Sequence, residues 1–145
     1  MGTNFYLRNK QEFQHSQEKN NVIELKINEM IQQIQTIVDE EEIVRRIQDE
    51  LEEHARVGYE KIHIGKRSFG WKPSFEKQEH FSSLRELKQF YHDNKDRYDI
   101  VDEYGRKYDW AELETELILS NPDGKEHDDS YKDPDGYIWH EYEFT

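Results

Sequence analysis

The stretch Lys61-Ile-His-Ile-Gly-Lys-Arg-Ser-Phe-Gly-Trp-Lys-Pro-Ser-Phe75 reads as strand, glycine-punctuated turn, strand. Gly65 and Gly70 bracket the predicted turn. Pro73 places the second strand at an edge or a bulge, because proline cannot donate to a ladder. The segment before it has a different period. Ile23, Ile27, Met30, Ile34 and Ile37 recur at spacings of four and three, a helical stripe. Ile43, Val44, Ile47, Leu51 and Ala55 are also helical, but rotated by roughly a third of a turn from that stripe. Asp39 with Glu42 resembles a capping box at the break. The reading is two helices, about 17–38 and 40–56, folded as an antiparallel hairpin.

Outward from this centre, residues 3–8 are short, β-prone and unbroken, an opening strand. Ser83 with Glu86 caps a helix bearing Leu84, Leu87 and Tyr91. Asp109 with Glu112 caps another bearing Trp110, Leu113, Leu117 and Ile118, closed by Ser120-Asn-Pro122. A strand at 98–101 runs into Asp102-Glu-Tyr-Gly-Arg106, where Gly105 supplies a positive φ. A polar loop, 121–135, precedes a last strand, 137–144. The order β-αα-β-β-α-β-α-β contains no βαβ repeat with buried aliphatic strands. It predicts an α+β fold: a small, mostly antiparallel sheet with flanking helices and an inserted N-terminal helical hairpin. Residues 1–145 are expected to form a single domain, with 17–56 as the helical insertion and 57–145 plus strand 3–8 as the scaffold.

Charge is segregated along the chain. Residues 1–55 carry 6 Lys/Arg against 12 Asp/Glu, residues 56–95 carry 9 against 5, and residues 96–145 carry 5 against 16, giving −6, +4 and −11. A strongly negative surface repels nucleic acid and membranes and steers basic protein surfaces toward it. Apolar residues are few, at 33%, but seven Phe, nine Tyr and three Trp can build an aromatic core in their place. With no cysteine, disulfides and thiolate zinc sites are excluded. No stretch reaches the ~18–20 apolar residues of a membrane span, and the N-terminus lacks a signal-peptide run and a myristoylation pattern. Cytoplasmic residence is the expectation, and no cofactor signature is present.

Four fragments occur together in order: Met1-Gly-Thr-Asn-Phe-Tyr-Leu7, His63-Ile-Gly-Lys-Arg-Ser-Phe-Gly-Trp71, Asp102-Glu-Tyr-Gly-Arg106 and Asp133-Pro-Asp-Gly-Tyr137 with Glu143-Phe144. As a set the chain resembles a family of small, functionally uncharacterised bacteriophage and prophage proteins. The resemblance implies a shared fold and a viral origin, with residence in the infected or lysogenic bacterial host. Members of that family often carry a Cys-x-x-Cys pair, consistent with a zinc ribbon, between the opening strand and the His-Ile-Gly-Lys segment. Here the cysteine-free helices 17–56 stand in that interval and look like an accessory insertion.

Four groups of residues are candidates for chemistry. Lys66, Arg67 and Ser68, in the predicted turn, can hold an anion through cationic side chains and backbone N–H groups; the turn is no Walker loop, since Glu60 stands where that motif needs glycine. His63 and His140 fall on predicted strands, and with Asp133 or Asp135 they would make a mixed N/O metal site or an acid–base pair. The loop 123–136 fails as an EF-hand. Setting Gly124 or Gly136 at position six puts Leu119 or Tyr131 at position one, where Asp is required. The acidic surfaces remain: Glu41, Glu42, Asp49, Glu50, Glu52 and Glu53 on the second helix, and Asp128, Asp129, Asp133 and Asp135 near the C-terminus. Such runs solubilise a domain, and they can also imitate the regular charge of DNA phosphates.

The leading expectation is a non-enzymatic phage accessory protein that binds and inhibits a host nucleic-acid-acting protein, such as a CRISPR effector, through its acidic surfaces. A small metal-dependent hydrolase or nuclease built on the histidine–aspartate set is the first alternative. A structural protein that self-associates through the Ile-rich helices is the second.

Overall fold

Spacings of four, four, three and four join Ile23, Ile27, Ile31, Ile34 and Val38 into one stripe on α1 (Lys10–Gln35) and the turn after it. The stripe meets Val44, Ile47, Leu51 and Ala55 of α2 (Glu41–Ala55). Ile27, Ile31 and Val44 are buried at this seam, worth about 1.5–3 kcal/mol each. The hairpin is antiparallel. Just beyond the end of α2, the Val57 carbonyl accepts from Ser16 Oγ and from Asn20 Nδ2, near the start of α1. Two helices were predicted and two form, but their phase and ends differ from expectation. Met30 and Ile37 lie off the seam, 46% and 82% exposed, because the stripe runs through Ile31 and Val38. α1 starts at Lys10, directly after the first strand. Glu40 is the N-cap of α2 and makes no side-chain cap bond, so Asp39 stands one residue too early for the expected box.

This chain is a computed structural model that describes residues 2–128 and 130–142. It divides into two compact units: Gln11–Glu60, the hairpin, and Met1–Lys10 with Lys61–Thr145, the sheet unit.

In the sheet unit, β1 (Gly2–Asn9) turns Phe5 and Leu7 to one face, both fully buried, and Asn4, Tyr6 and Arg8 to the other. β1 pairs antiparallel with β2 (Lys61–Ser68). β2 pairs antiparallel with β3 (Ser74–Glu76). On its other side β1 pairs antiparallel with β4 (Tyr98–Asp102), which pairs with β5 (Lys107–Tyr108). β6 (Tyr131–Lys132) pairs antiparallel with β7 (Ile138–His140), and β7 lies parallel to β3. The sheet order is β5-β4-β1-β2-β3-β7-β6. The architecture is therefore α+β with a mostly antiparallel sheet. β3 is interior rather than at an edge, since Pro73 sits just before its first ladder residue. β6 arises within the predicted polar loop. The last strand is three residues long, and positions 143 and 144 of the predicted 137–144 strand lie outside the described residues.

Gly65 belongs to β2, not to a turn. It faces Phe5 on one side and Phe75 on the other, and Phe75 faces Trp139. A Cβ at Gly65 would run into the Ser74 carbonyl oxygen and come within 3.2 Å of the Phe75 ring. The missing side chain therefore lets an aromatic row close, with Phe75 stacked on Trp139 at 5.3 Å. The ladder shifts register between Phe5 and Tyr6, and Ile64 is the extra residue. The turn itself is Ser68–Trp71, with Gly70 at φ +82°.

Two helices cover the Phe5 face. α3 (Leu84–Asp93) is N-capped by Ser83, whose Oγ accepts from Glu86 N at 3.2 Å. The Glu86 carboxylate reaches back to Ser82 N and Oγ, one residue beyond the N-cap N–H of a true box. α4 (Trp110–Leu113) has the full reciprocal Asp109–Glu112 box. After that single turn the helix widens into a π-helical segment, Glu114–Ile118. Leu87, Leu113, Leu117 and Ile118 close over Phe5, Leu7, Ile64, Phe75, Phe81, Tyr98, Ile100 and Trp139, the aromatic-rich core that the composition implied.

Candidate functional site

On α2 the apolar stripe and the carboxylates divide the helix cleanly. With 100° per residue, Glu42, Asp49 and Glu53 fall within about 40° of one another and opposite Val44, Ile47 and Leu51. All three are exposed. Glu50 flanks one side of that line, and Glu41 and Glu52 flank the other. Their hydrogen-bond partners are local and weak: Arg46 with Glu42 at 3.3 Å, His54 with Glu50 at 3.2 Å, and Gln48 with Glu52 at 3.3 Å. Exposed pairs at this spacing contribute about 0.3–0.5 kcal/mol each, so they do not account for the charge density. Beside the connection from α1, an open hollow of about 800 Å³ is lined by Val38, Asp39, Glu41, Glu42 and Arg45 among others. Acidic side chains therefore continue from the exposed stripe into a concave surface.

Glu50, Glu53 and His54 bring their ligand atoms within 4.8 Å of one another, the one such group among the described residues. All three are exposed on a single helical turn, which i,i+3 and i,i+4 spacing produces by itself.

The expected set of His63, His140, Asp133 and Asp135 does not assemble. β3 separates β2 from β7, so the residue next to His63 is Glu76, whose Oε1 lies 2.9 Å from Nδ1. The other ring nitrogen, Nε2, is 2.9 Å from Asn4 Oδ1. Gln78 Nε2 donates to the Glu76 carboxylate and to the His63 carbonyl oxygen. His140 is the register partner of Glu76, and its ring meets His127 edge-on at 5.2 Å, His127 being stacked on Trp71 at 4.5 Å.

Asp133 belongs to the opposite face, with Trp139. Oδ1 accepts from the N–H groups of Asp135 and Tyr137, both at 3.0 Å. Oδ2 accepts from Leu84 N and Trp139 Nε1, both at 2.9 Å. Successive strand residues point to opposite faces, so a carboxylate bonded to Trp139 cannot also meet His140. Asp133 is 7% exposed and all its acceptor capacity is used. It is neither a metal ligand nor a surface contact. Asp135 forms a two-pronged pair with Arg85, at 2.8 Å on both arms, which holds its carboxyl below the usual range. Sequence reasoning missed Asn4, Glu76 and Gln78 around His63. The one local signal was the alternation of Ser74 and Glu76 after Pro73.

The predicted anion turn is also corrected. Lys66, Arg67 and Ser68 are strand residues, so their side chains and N–H groups alternate in direction instead of converging. Arg67 reaches the Glu116 carbonyl and carboxylate oxygens, both at 2.8 Å. Ser68 offers its carbonyl to Trp71 N and Asn121 Nδ2. Of the C-terminal carboxylates, Asp128 is exposed and Asp129 lies outside the described residues. Among the described residues no helix is long and apolar enough to cross a membrane. Compared with family models, curated proteins and solved structures, the chain has no match in any of the three.

Proposed function

We propose that this is a non-enzymatic bacteriophage accessory protein that binds and inhibits a host nucleic-acid-acting protein, a CRISPR effector being one such, through the acidic face of α2. One observation carries the reading. Between Glu41 and Glu53 six carboxylates occupy about 18 Å of helix axis, close to one per 3 Å. A DNA strand carries one phosphate per about 3.4 Å. Arg45 and Arg46 interrupt the run, so the likeness is one of average charge density, with a pair at Glu41–Glu42 and a denser cluster of four from Asp49 to Glu53. The resemblance to phage proteins supplies the setting, because a virus gains by occupying the basic groove of a host effector. A field of this sign raises the association rate with a basic surface by 10- to 10³-fold, and salt screens it over ~8 Å.

The test is competition. A CRISPR effector nuclease is bound to labelled duplex DNA, and the protein is titrated in at two salt concentrations. The wild type is expected to displace the DNA, less well at the higher salt. A Glu42→Lys, Asp49→Lys, Glu53→Lys variant is expected to need at least about tenfold more protein, with an unchanged melting temperature. Equal displacement by variant and wild type, or none by either, sinks the proposal.

A further inference from the structure

The helical hairpin has two broad faces, and one of them is apolar. At 100° per residue its seam is centred on Ile27 in α1 and on Leu51 in α2. About 60–80° to one side stand Gln35 on α1 and Glu41 and Gln48 on α2, all three lining the polar hollow of about 800 Å³. About 60–80° to the other side stand Met30 and Ile37 on α1 and Ile43 on α2. In an antiparallel pair the same sense of rotation, viewed from each helix's own N-terminus, leads to the same face. Met30, Ile37 and Ile43 therefore come together opposite the hollow. They are 46%, 82% and 40% exposed, with half-buried Ile34 and Ile47 between them. The face runs about 21 Å from Ile23 to Ile37 and about 20 Å across the two helices.

The charges at the edges of this face say what fits it. On the outer edge of α1 lie Lys26 and, further round, Glu29; on the outer edge of α2 lie Glu50 and, further round, Arg46. Residues of the hairpin whose numbers add to about 76 stand at one level, as Asn20 and Val57 do through their hydrogen bond. Lys26 is thus level with Glu50, and Glu29 with Arg46, but across the full width of the face. Within one chain they bond neighbours on their own helices instead: Lys26 with Glu29 at 3.4 Å, Arg46 with Glu42 at 3.3 Å and Glu50 with His54 at 3.2 Å. Lys19 stands level with Val57, past the end of α2. A two-fold axis parallel to the helices would lay α1 of one copy on α2 of another and keep every level. Met30 then comes over Ile47 of the second copy, and Ile34 and Ile37 over its Ile43. Lys26 meets its Glu50 and Glu29 meets its Arg46. Each contact occurs twice, so the face is complementary to itself in both shape class and charge order.

We propose that the apolar face of the hairpin binds a second copy of this chain, forming a two-fold symmetric four-helix bundle with an apolar centre and Lys26–Glu50 and Glu29–Arg46 pairs along its rim. Two such faces bury on the order of 1,000 Å² once their side chains interlock, the lower bound for a specific interface. Apolar centre and charged rim is also the usual division of such a surface. The exposed Leu25 lies about 160° from the α1 seam and takes no part. Glu42, Asp49 and Glu53 lie about 160–180° from the α2 seam, so the dimer leaves the acidic line of each copy in solvent. The proposal therefore stands apart from the reading of that line as a mimic of phosphates.

The experiment is sedimentation equilibrium of the full 145-residue chain at physiological salt, from about 1 to about 200 μM. The mass is expected to rise from that of the 17.7 kDa chain to twice it, with a midpoint in the micromolar range. Ile37→Glu is expected to weaken association at least about tenfold with an unchanged circular dichroism spectrum, since Ile37 is already exposed in one chain. Leu25→Glu, the same change on the far side of α1, is expected to stay within about twofold. Lys26→Glu and Glu50→Lys are each expected to weaken association about three- to tenfold, and the two together to restore it to within about twofold of wild type. The triple reversal on α2 is expected not to weaken association while it loses DNA displacement, which separates failure here from failure of the proposed function. A single 17.7 kDa species at the highest concentration, equal effects of Ile37→Glu and Leu25→Glu, or a double charge swap no tighter than either single would each overturn the proposal.

Discussion

Replacing Asp133 with asparagine changes one atom and is expected to cost about 3–6 kcal/mol. The carboxylate accepts four hydrogen bonds, two on each oxygen. Asparagine can keep its oxygen toward Asp135 N and Tyr137 N, but its NH₂ then faces Leu84 N and Trp139 Nε1, donor against donor. Flipping the amide only moves the conflict to the other pair. Two bonds to a charged acceptor are lost, at about 1.5–3 kcal/mol each. The Trp139 N–H cannot turn to water, because Trp139 is fully buried. The loss also removes a negative charge from the first turn of α3, where the helix dipole favours it. A domain of this size is stable by about 5–15 kcal/mol, so the loss removes a large share of the folding margin. With a urea slope near 2 kcal/mol/M, the midpoint should fall by about 1.5–3 M. Asp128→Asn, at an exposed carboxylate, serves as control and should stay within about 0.5 kcal/mol. If Asp133→Asn unfolds within 1 kcal/mol of wild type, the buried-acceptor account is wrong.

Two further outcomes follow from the packing. Replacing Gln11–Glu60 by a short Gly/Asn/Ser turn should leave a cooperatively unfolding sheet unit, because Arg8 and Lys61 are already opposite one another and the two apolar clusters share no residue; a gradual, non-cooperative melt would show that the hairpin is needed for that core. Tyr108 donates to Asp102 at 2.7 Å, and burial, then that bond, push its phenol up to about 12. The folded state thus holds this proton more tightly than the unfolded one. The stabilisation is complete below about pH 10 and is lost as pH rises from there through 12. Burial also raises Tyr91, Tyr131 and Tyr137, so absorbance near 295 nm should show a late phase whose amplitude Tyr108→Phe lowers by one tyrosine, and a single transition near pH 10 for all nine would contradict the assignment.

What the chain revealed before folding was local. Two helices between β1 and β2 follow from spacing, the Asp109–Glu112 box from a four-residue pattern, and the Asp102–Arg106 turn from Gly105, which takes φ +86°. Each of these is decided by residues within a turn or two of one another, where periodicity and capping act. The acidic line on α2 was legible for the same reason, because helix geometry alone gathers Glu42, Asp49 and Glu53. The rest depended on partners far away in sequence. Gly65 reads as a turn residue until Phe5, sixty positions earlier, lies across from it and Phe75 packs against its bare backbone. Asp133 reads as one carboxylate in an acidic loop until Leu84 and Trp139 bring it their N–H groups. His63 reads as a neighbour of His140 until β3 enters between them and supplies Glu76. Strand order and face are settled by which long-range pairing buries the most apolar surface with every donor satisfied, and no window of the sequence contains both sides of that comparison.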